Sequence, residues 1–152
     1  MTSSLQPAYM LRLLGVLFVI AVLVNYVWEL AQSFLFVGMT TWSNIWWHCF
    51  VASLGDGLIL WIIFASGWAF LGRPDWFIDP GFKGYVVMLS SGFLVAIAIE
   101  WYAVHVLARW EYTDQMPTLP GTEVGITPIL QMLILPPLIF RITAALVGRA
   151  DE

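Results

Sequence analysis

The sequence predicts an all-α fold: a polytopic membrane protein, a four-transmembrane-helix bundle forming one domain over residues 1–152, with both termini cytoplasmic. Three observations predict it. Of the 152 residues, 61% are hydrophobic and only 11% are charged, with mean hydropathy +0.85, whereas soluble domains are about a quarter charged. Four apolar runs are each long enough for a hydrocarbon core of about 30 Å, which takes about 20 helical residues to cross. The few basic residues gather on one side of the layout those runs define. Six Lys and Arg in all make no nucleic-acid footprint. A single cysteine, Cys49, excludes an internal disulfide framework and multi-cysteine metal sites.

The first run spans about residues 13–37. Its length and the polar residues Asn25, Glu29 and Gln32 within it argue for a mature helix rather than a cleaved signal segment. A short turn (residues 38–41) leads to the second run, about 45–71. A Pro/Gly-containing loop, 72–84, precedes the third, about 85–108, and an acidic loop, 109–125, precedes the fourth, about 126–147. Continuous apolar runs of this length fit helices and not the alternating strands of a barrel. Arg12, Arg73, Lys83 and Arg149 fall at the N-terminus, the middle loop and the C-terminus, and Arg141 can snorkel to the same side. Arg109 stands alone on the other side with Glu111, Asp114 and Glu123. The positive-inside rule places the termini inside and the acidic loop outside, in a membrane of the bacterial cytoplasmic type. Trp42, Trp46, Trp47, Trp76, Trp110 and Tyr112 lie at helix ends, where interfacial aromatic belts belong.

Polar groups within a bilayer are costly, so their positions are informative. Counting 1.5 Å per residue puts Glu29 and Glu100 about 12 Å below the outer surface and His48 and His105 about 5 Å below. Gln131 falls at about 8 Å and Asp56 near the midplane at about 16 Å. The polar residues therefore share the outer half of one bundle. Asn25, Glu29 and Gln32 lie on one stripe of the first helix, and one face of the second can carry both His48 and Asp56. Glu100 and His105 are about 140° apart around the third helix and do not share a pocket. Gly55 and Gly57 flank Asp56 and suit close helix approach or ligand access. Pro128 and Pro136-Pro137 interrupt the fourth helix and free backbone carbonyls near the site.

Such a cluster suits proton transfer. A buried carboxyl kept protonated can donate to an olefin, epoxide or carbonyl, while a second group accepts a proton or stabilises a cation. The candidate catalytic residues are Glu29, Asp56, Glu100 and His48. Asn25, Trp28, Gln32, Trp101 and Gln131 are candidate substrate-binding residues, the tryptophans as flat walls able to stabilise a carbocation. Asn25, Gln32 and Gln131 equally suit interhelical hydrogen bonding. The substrate expected is an isoprenoid or other membrane lipid undergoing cyclisation, isomerisation or hydration, with no cofactor.

The run Asn25-Tyr26-Val27-Trp28-Glu29 resembles the Asn-x-x-Trp-Glu element of integral-membrane terpene cyclases of the paxilline type. That resemblance implies a proton-donating role for Glu29, although those proteins have about seven helices. The wider layout resembles a group of small uncharacterised four-helix bacterial membrane proteins. The shared features are Trp-Glu-x-x-Gln, His…Gly-Asp, Glu-Trp, Arg-Trp-x-Tyr-x-x-x-Met-Pro and Pro-x-x-Gln; that resemblance implies no activity. Alternative readings are haem held by His48 and His105, or a divalent metal held by Glu29, His48, Asp56 and Glu100 as in helix-bundle metal sites. Proton or cation transport, an accessory subunit of a larger complex and a homo-oligomer also remain open.

Overall fold

A computed structural model describes residues 7–148; Arg149, used above for orientation, lies outside the described residues. Four helices form: α1 (Pro7–Gln32), α2 (Trp42–Leu71), α3 (Gly81–His105) and α4 (Ile126–Gly148). Each is long and apolar enough to cross a membrane. Among the described residues there is no β-strand, only two isolated bridges, Phe36 to Tyr112 and Thr118 to Gly125. The helices pack in a closed ring in chain order, α1 against α2, α2 against α3, α3 against α4 and α4 against α1.

Helix ends differ from the sequence expectation where tertiary hydrogen bonds compete with the helix. The first helix stops at Gln32 and passes through a 3-10 turn, Ser33–Leu35, instead of running to residue 37. Leu35 and Val37 instead pair with the segment after α3: the Thr113 amide donates to Leu35 O at 2.9 Å and the Val37 amide to Glu111 O at 2.9 Å. α3 ends at His105 rather than 108 because Ala108 turns into the left-handed region at φ 45°. The chain reverses there and the Arg109 amide caps Ala103 O at 2.9 Å. Glycine is the usual residue at such a helix end.

Small residues set the closest helix approaches. A Cβ on Gly57 would lie 2.6 Å from the Phe18 ring, so α1 and α2 depend on its absence. On α3, Gly92 sits against Met132 O of α4, where a Cβ would be 2.3 Å from that oxygen. Met132 is four residues before Pro136, so this is the carbonyl that the missing proline N–H leaves without a helical donor. The prolines stay inside one continuous helix, and the freed carbonyl becomes a packing surface for α3.

Trp76, expected in an aromatic belt, is instead completely buried. Its ring fills the space left by Gly67 and lies tilted against Phe140, and its indole N–H donates to Phe64 O at 3.1 Å. Trp42, Trp46 and Trp47 are exposed at the opposite end. Around Trp76 the core is wholly apolar: Leu60, Ile63, Phe64, Met88, Ile139 and Phe140. Asn25, Glu29, Gln32, Asp56, Glu100 and Gln131 lie above this plug, whereas the buried Thr143 follows Phe140 on its other side.

Candidate functional site

The site is built at the end where α1 and α3 finish and α2 and α4 begin. Residues 106–125 close over it as a structured cap, not a plain connector. The pairing with 35–37 ties its first half down. A hairpin ties its second half: the Leu119 amide donates to Val124 O at 2.9 Å and the Ile126 amide to Pro117 O at 2.8 Å. Met116 and Val124 of the cap are themselves buried.

Below the cap, two glutamine amides join three helices. Gln131 Nε2 of α4 donates to Asn25 Oδ1 of α1 and to Asp56 Oδ2 of α2, both at 2.9 Å. Its Oε1 accepts from Gln32 Nε2 at 3.2 Å. Gln32 Nε2 also donates to Glu29 Oε1 at 2.9 Å, while Gln32 Oε1 accepts from Trp28 Nε1 at 3.1 Å. Each amide has two N–H donors, and both residues use both. The order Trp28, Gln32, Gln131 fixes which way each amide faces, because an indole can only donate. One oxygen of Glu29 and one of Asp56 are thereby held in place. Asn25 completes the network by donating its own amide to Ala21 O at 2.8 Å.

Glu100 has a separate partner. The Tyr112 hydroxyl of the cap donates to Glu100 Oε2 and accepts from the Gly125 amide at 3.3 Å. Burial, and then the charge of Glu100, push the Tyr112 phenol above its ordinary range. The Trp110 indole lies beside the same pair, yet its Nε1 is buried with no hydrogen-bond partner among the described residues.

These groups face a cavity of about 1080 Å³ between α2, α3 and the cap. Glu29, Gln32, Asp56, Glu100 and Gln131 all line it, with Asn44, His48, Arg109 and Trp110 also in its wall. The remaining lining is largely apolar. Leu58 and Ile62 on α2 and Ile99 and Tyr102 on α3 line the cavity while being exposed on the outer face of the bundle. They mark a side mouth between the two helices. Gly55 lines the cavity too, with no atom within 4 Å of where its Cβ would stand. The two glycines flanking Asp56 thus do different things: Gly57 admits α1 and Gly55 widens the cavity.

Several candidate residues fall elsewhere than expected. Trp101 is 51% exposed and stacks on His105 at 5.4 Å, so it walls no pocket. One residue along a helix turns a side chain by about 100°, which separates it from Glu100. His105 is likewise outside the cavity wall, bonded through Nδ1 to Trp101 O at 3.0 Å and 3.7 Å from Glu123. The structure therefore does not bring His48 and His105 to one pocket. Trp28 and Asn25 are not in the wall either; they support Gln32 and Gln131 from behind. Among the described residues no three His, Cys, Asp or Glu side chains converge as metal ligands, so Glu29, His48, Asp56 and Glu100 share a cavity without forming a coordination sphere. His48 Nδ1 pairs with Asn44 O at 2.8 Å; a carbonyl only accepts, so Nδ1 carries the proton and Nε2 is the basic nitrogen.

Tyr112 is the partner of Glu100 that the helix pattern of the sequence does not mark. It sits on a loop, where no periodicity marks it, and its position at a helix end in the sequence suggests only an aromatic belt. No protein-family model, curated protein or solved structure matches this chain.

The arrangement can hold a greasy molecule with one region against three carboxyl groups. Glu29 and Asp56 are positioned by amides, and Glu100 by a phenol that belongs to the cap. Closing the cap and placing Glu100 are consequently the same structural event.

Proposed function

We propose that the protein is an integral membrane enzyme of proton-transfer chemistry on an isoprenoid or other lipid. The observation that carries this reading is the meeting of three carboxyl groups from three helices in one mostly apolar cavity with a mouth between α2 and α3. A soluble substrate has no use for a side entrance between lipid-facing helices, whereas a lipid enters by lateral diffusion. On this reading the termini face the cytoplasm and the cap lies on the outer side of a bacterial-type cytoplasmic membrane, as the distribution of Arg12, Arg73, Lys83 and Arg141 favours.

A protonated carboxyl in the wall delivers its proton to a carbon of an olefin, or to the oxygen of an epoxide or carbonyl. The resulting cation forms beside the other carboxyl groups, whose negative form stabilises it. Loss of a proton from a neighbouring carbon to a second carboxyl completes an isomerisation or cyclisation; addition of water completes a hydration. The local likeness of Asn25 to Glu29 to paxilline-type terpene cyclases supports Glu29 as one of the acids. Transport of protons or cations would require a polar route past Leu60, Ile63, Phe64 and Met88, all buried and apolar, and no observation favours it.

The test is a comparison of lipid extracts from cells expressing the wild type or Glu29→Gln, Asp56→Asn or Glu100→Gln at equal membrane levels. A lipid product present with wild type and reduced at least about 100-fold by one of these exchanges is expected, the scale of acid–base catalysis. Identical lipid profiles for wild type, all three variants and empty membranes would defeat the reading.

A further inference from the structure

Among the acidic residues of the cap, Arg109 is the one cation, yet its side chain pairs with none of them. Glu123 turns to His105, and neither Glu111 nor Asp114 forms an ion pair with Arg109 among the described residues. The guanidinium instead lines the rim of the cavity. Its neighbour Trp110 lines the same cavity, and its buried indole N–H, beside the Glu100–Tyr112 pair, completes no hydrogen bond of good geometry among the described residues. A buried donor left unmade is costly, so such an orphan needs a partner. The left-handed turn at Ala108 directs the chain back over the end of α3 at the point where these two donors begin. The rim therefore offers the cavity a cation that no carboxylate pairs with among the described residues, and an indole N–H whose neighbouring carboxyl, Glu100, already takes the Tyr112 hydroxyl.

We infer that the ligand is a single-chain anionic lipid whose phosphate or carboxylate head is held at the rim by Arg109 and Trp110 Nε1, its chain running down past the carboxyl groups and out between α2 and α3. This rests on the proposed lipid chemistry and names its substrate class. An arginine fork suits either head, since both present oxygens for paired N–H donors. The register of α2 supplies a ruler. His48 at the rim and Asp56 at the floor are eight residues apart, a rise of about 12 Å. A carbon reacting at Asp56 then lies about that distance from the charged head, well down the chain, whereas one reacting at Glu100 lies nearer, because Trp110 stands beside that carboxyl.

The experiment uses the full chain in phosphatidylcholine nanodiscs, with binding read by native mass spectrometry and by tryptophan fluorescence. The probes are geranylgeranyl phosphate against geranylgeraniol, oleate against oleyl alcohol, and inorganic phosphate alone. The expected result is that at least one anionic member binds about tenfold or more tightly than its alcohol. Arg109→Gln is expected to cut that preference to within about twofold and Trp110→Phe to weaken it, with inorganic phosphate alone not binding. Whether the phosphate or the carboxylate pair shows the larger preference identifies the head. Equal binding of anion and alcohol to wild type, or a preference that survives Arg109→Gln in a folded protein, overturns the inference while leaving a lipid site in place. Binding of none of the four lipids overturns the inference and the proposed lipid chemistry together.

Discussion

Replacing Gln131 by leucine is the most direct perturbation of the polar network, because one residue there serves three others. The exchange is nearly isosteric, so its cost is chiefly hydrogen bonding. It removes the acceptor of Gln32 Nε2 and the donors to Asn25 Oδ1 and Asp56 Oδ2. Gln32 keeps Glu29 as a partner, and Asp56 faces the cavity, where water can replace the amide. Asn25 has no such recourse: it is 0% exposed and its Oδ1 is left without a donor. Interhelical hydrogen bonds in membranes contribute about 0.6–1.7 kcal/mol each, and a buried orphan costs about 1–3 kcal/mol. Three lost bonds with one true orphan therefore come to roughly 2–5 kcal/mol. For a protein of this size that is a fall in Tm of roughly 5–15 °C. Thermal unfolding in mild detergent, followed by tryptophan fluorescence, reads it. A double variant, Asn25→Leu with Gln131→Leu, should recover about 1 kcal/mol or more relative to the sum of the single changes, since the orphan disappears with its partner. A Gln131→Leu protein within about 0.5 kcal/mol of wild type would refute the network as a source of stability.

Three further outcomes are expected. Gly92→Ala should destabilise by about 1–3 kcal/mol, because its Cβ meets the fixed Met132 carbonyl oxygen, whereas Gly55→Ala should leave stability within about 0.5 kcal/mol of wild type; paired melting curves compare them. The raised Tyr112 phenol favours the folded state while neutral, so its contribution is complete below about pH 10 and is lost only as the pH climbs through the higher folded value. In a titration of phenolate absorbance to pH 11, wild type and Tyr112→Phe should accordingly show the same amplitude, and a larger wild-type signal would contradict the burial of that hydroxyl. Ala108→Gly should be stabilising by up to about 1 kcal/mol, as relief of the left-handed conformation outweighs glycine's extra chain entropy; equilibrium unfolding with and without the change measures it.

The four helices were legible in the sequence because apolar runs near 25 residues have one lipid-compatible solution. The gathering of Asn25, Glu29, Gln32, Asp56, Glu100 and Gln131 at one end was legible for the same reason: rise per residue and antiparallel connection fix depth. Rotation about each helix axis was harder to read. Trp101 and Glu100 are adjacent in sequence but face different surroundings, and an apolar helix carries too weak a moment to say which side turns inward. Loops were the least legible. The pairing of 35–37 with 111–113, and through it the delivery of Tyr112 to Glu100, depends on contacts far apart in the chain, with no local pattern to announce them. Trp76 shows the same limit: tryptophan at a helix end suggests an interface, and only the space over Gly67 reveals a core residue.

The central claim is that carboxyl groups in a lipid-accessible cavity move protons to and from carbon. It is tested most directly by reconstituting the protein in total bacterial lipid in heavy water and searching the lipids for carbon-bound deuterium by mass spectrometry. Protonation of an olefin carbon, with rearrangement, cyclisation or hydration to follow, leaves deuterium on carbon whichever olefin is the substrate, and that carbon protonation is the step under test. The account predicts a labelled lipid with wild type that is lost with Glu29→Gln, Asp56→Asn or Glu100→Gln, in variants that remain folded. Absence of carbon-bound deuterium with a folded wild-type protein, or labelling unchanged in all three variants, would contradict it.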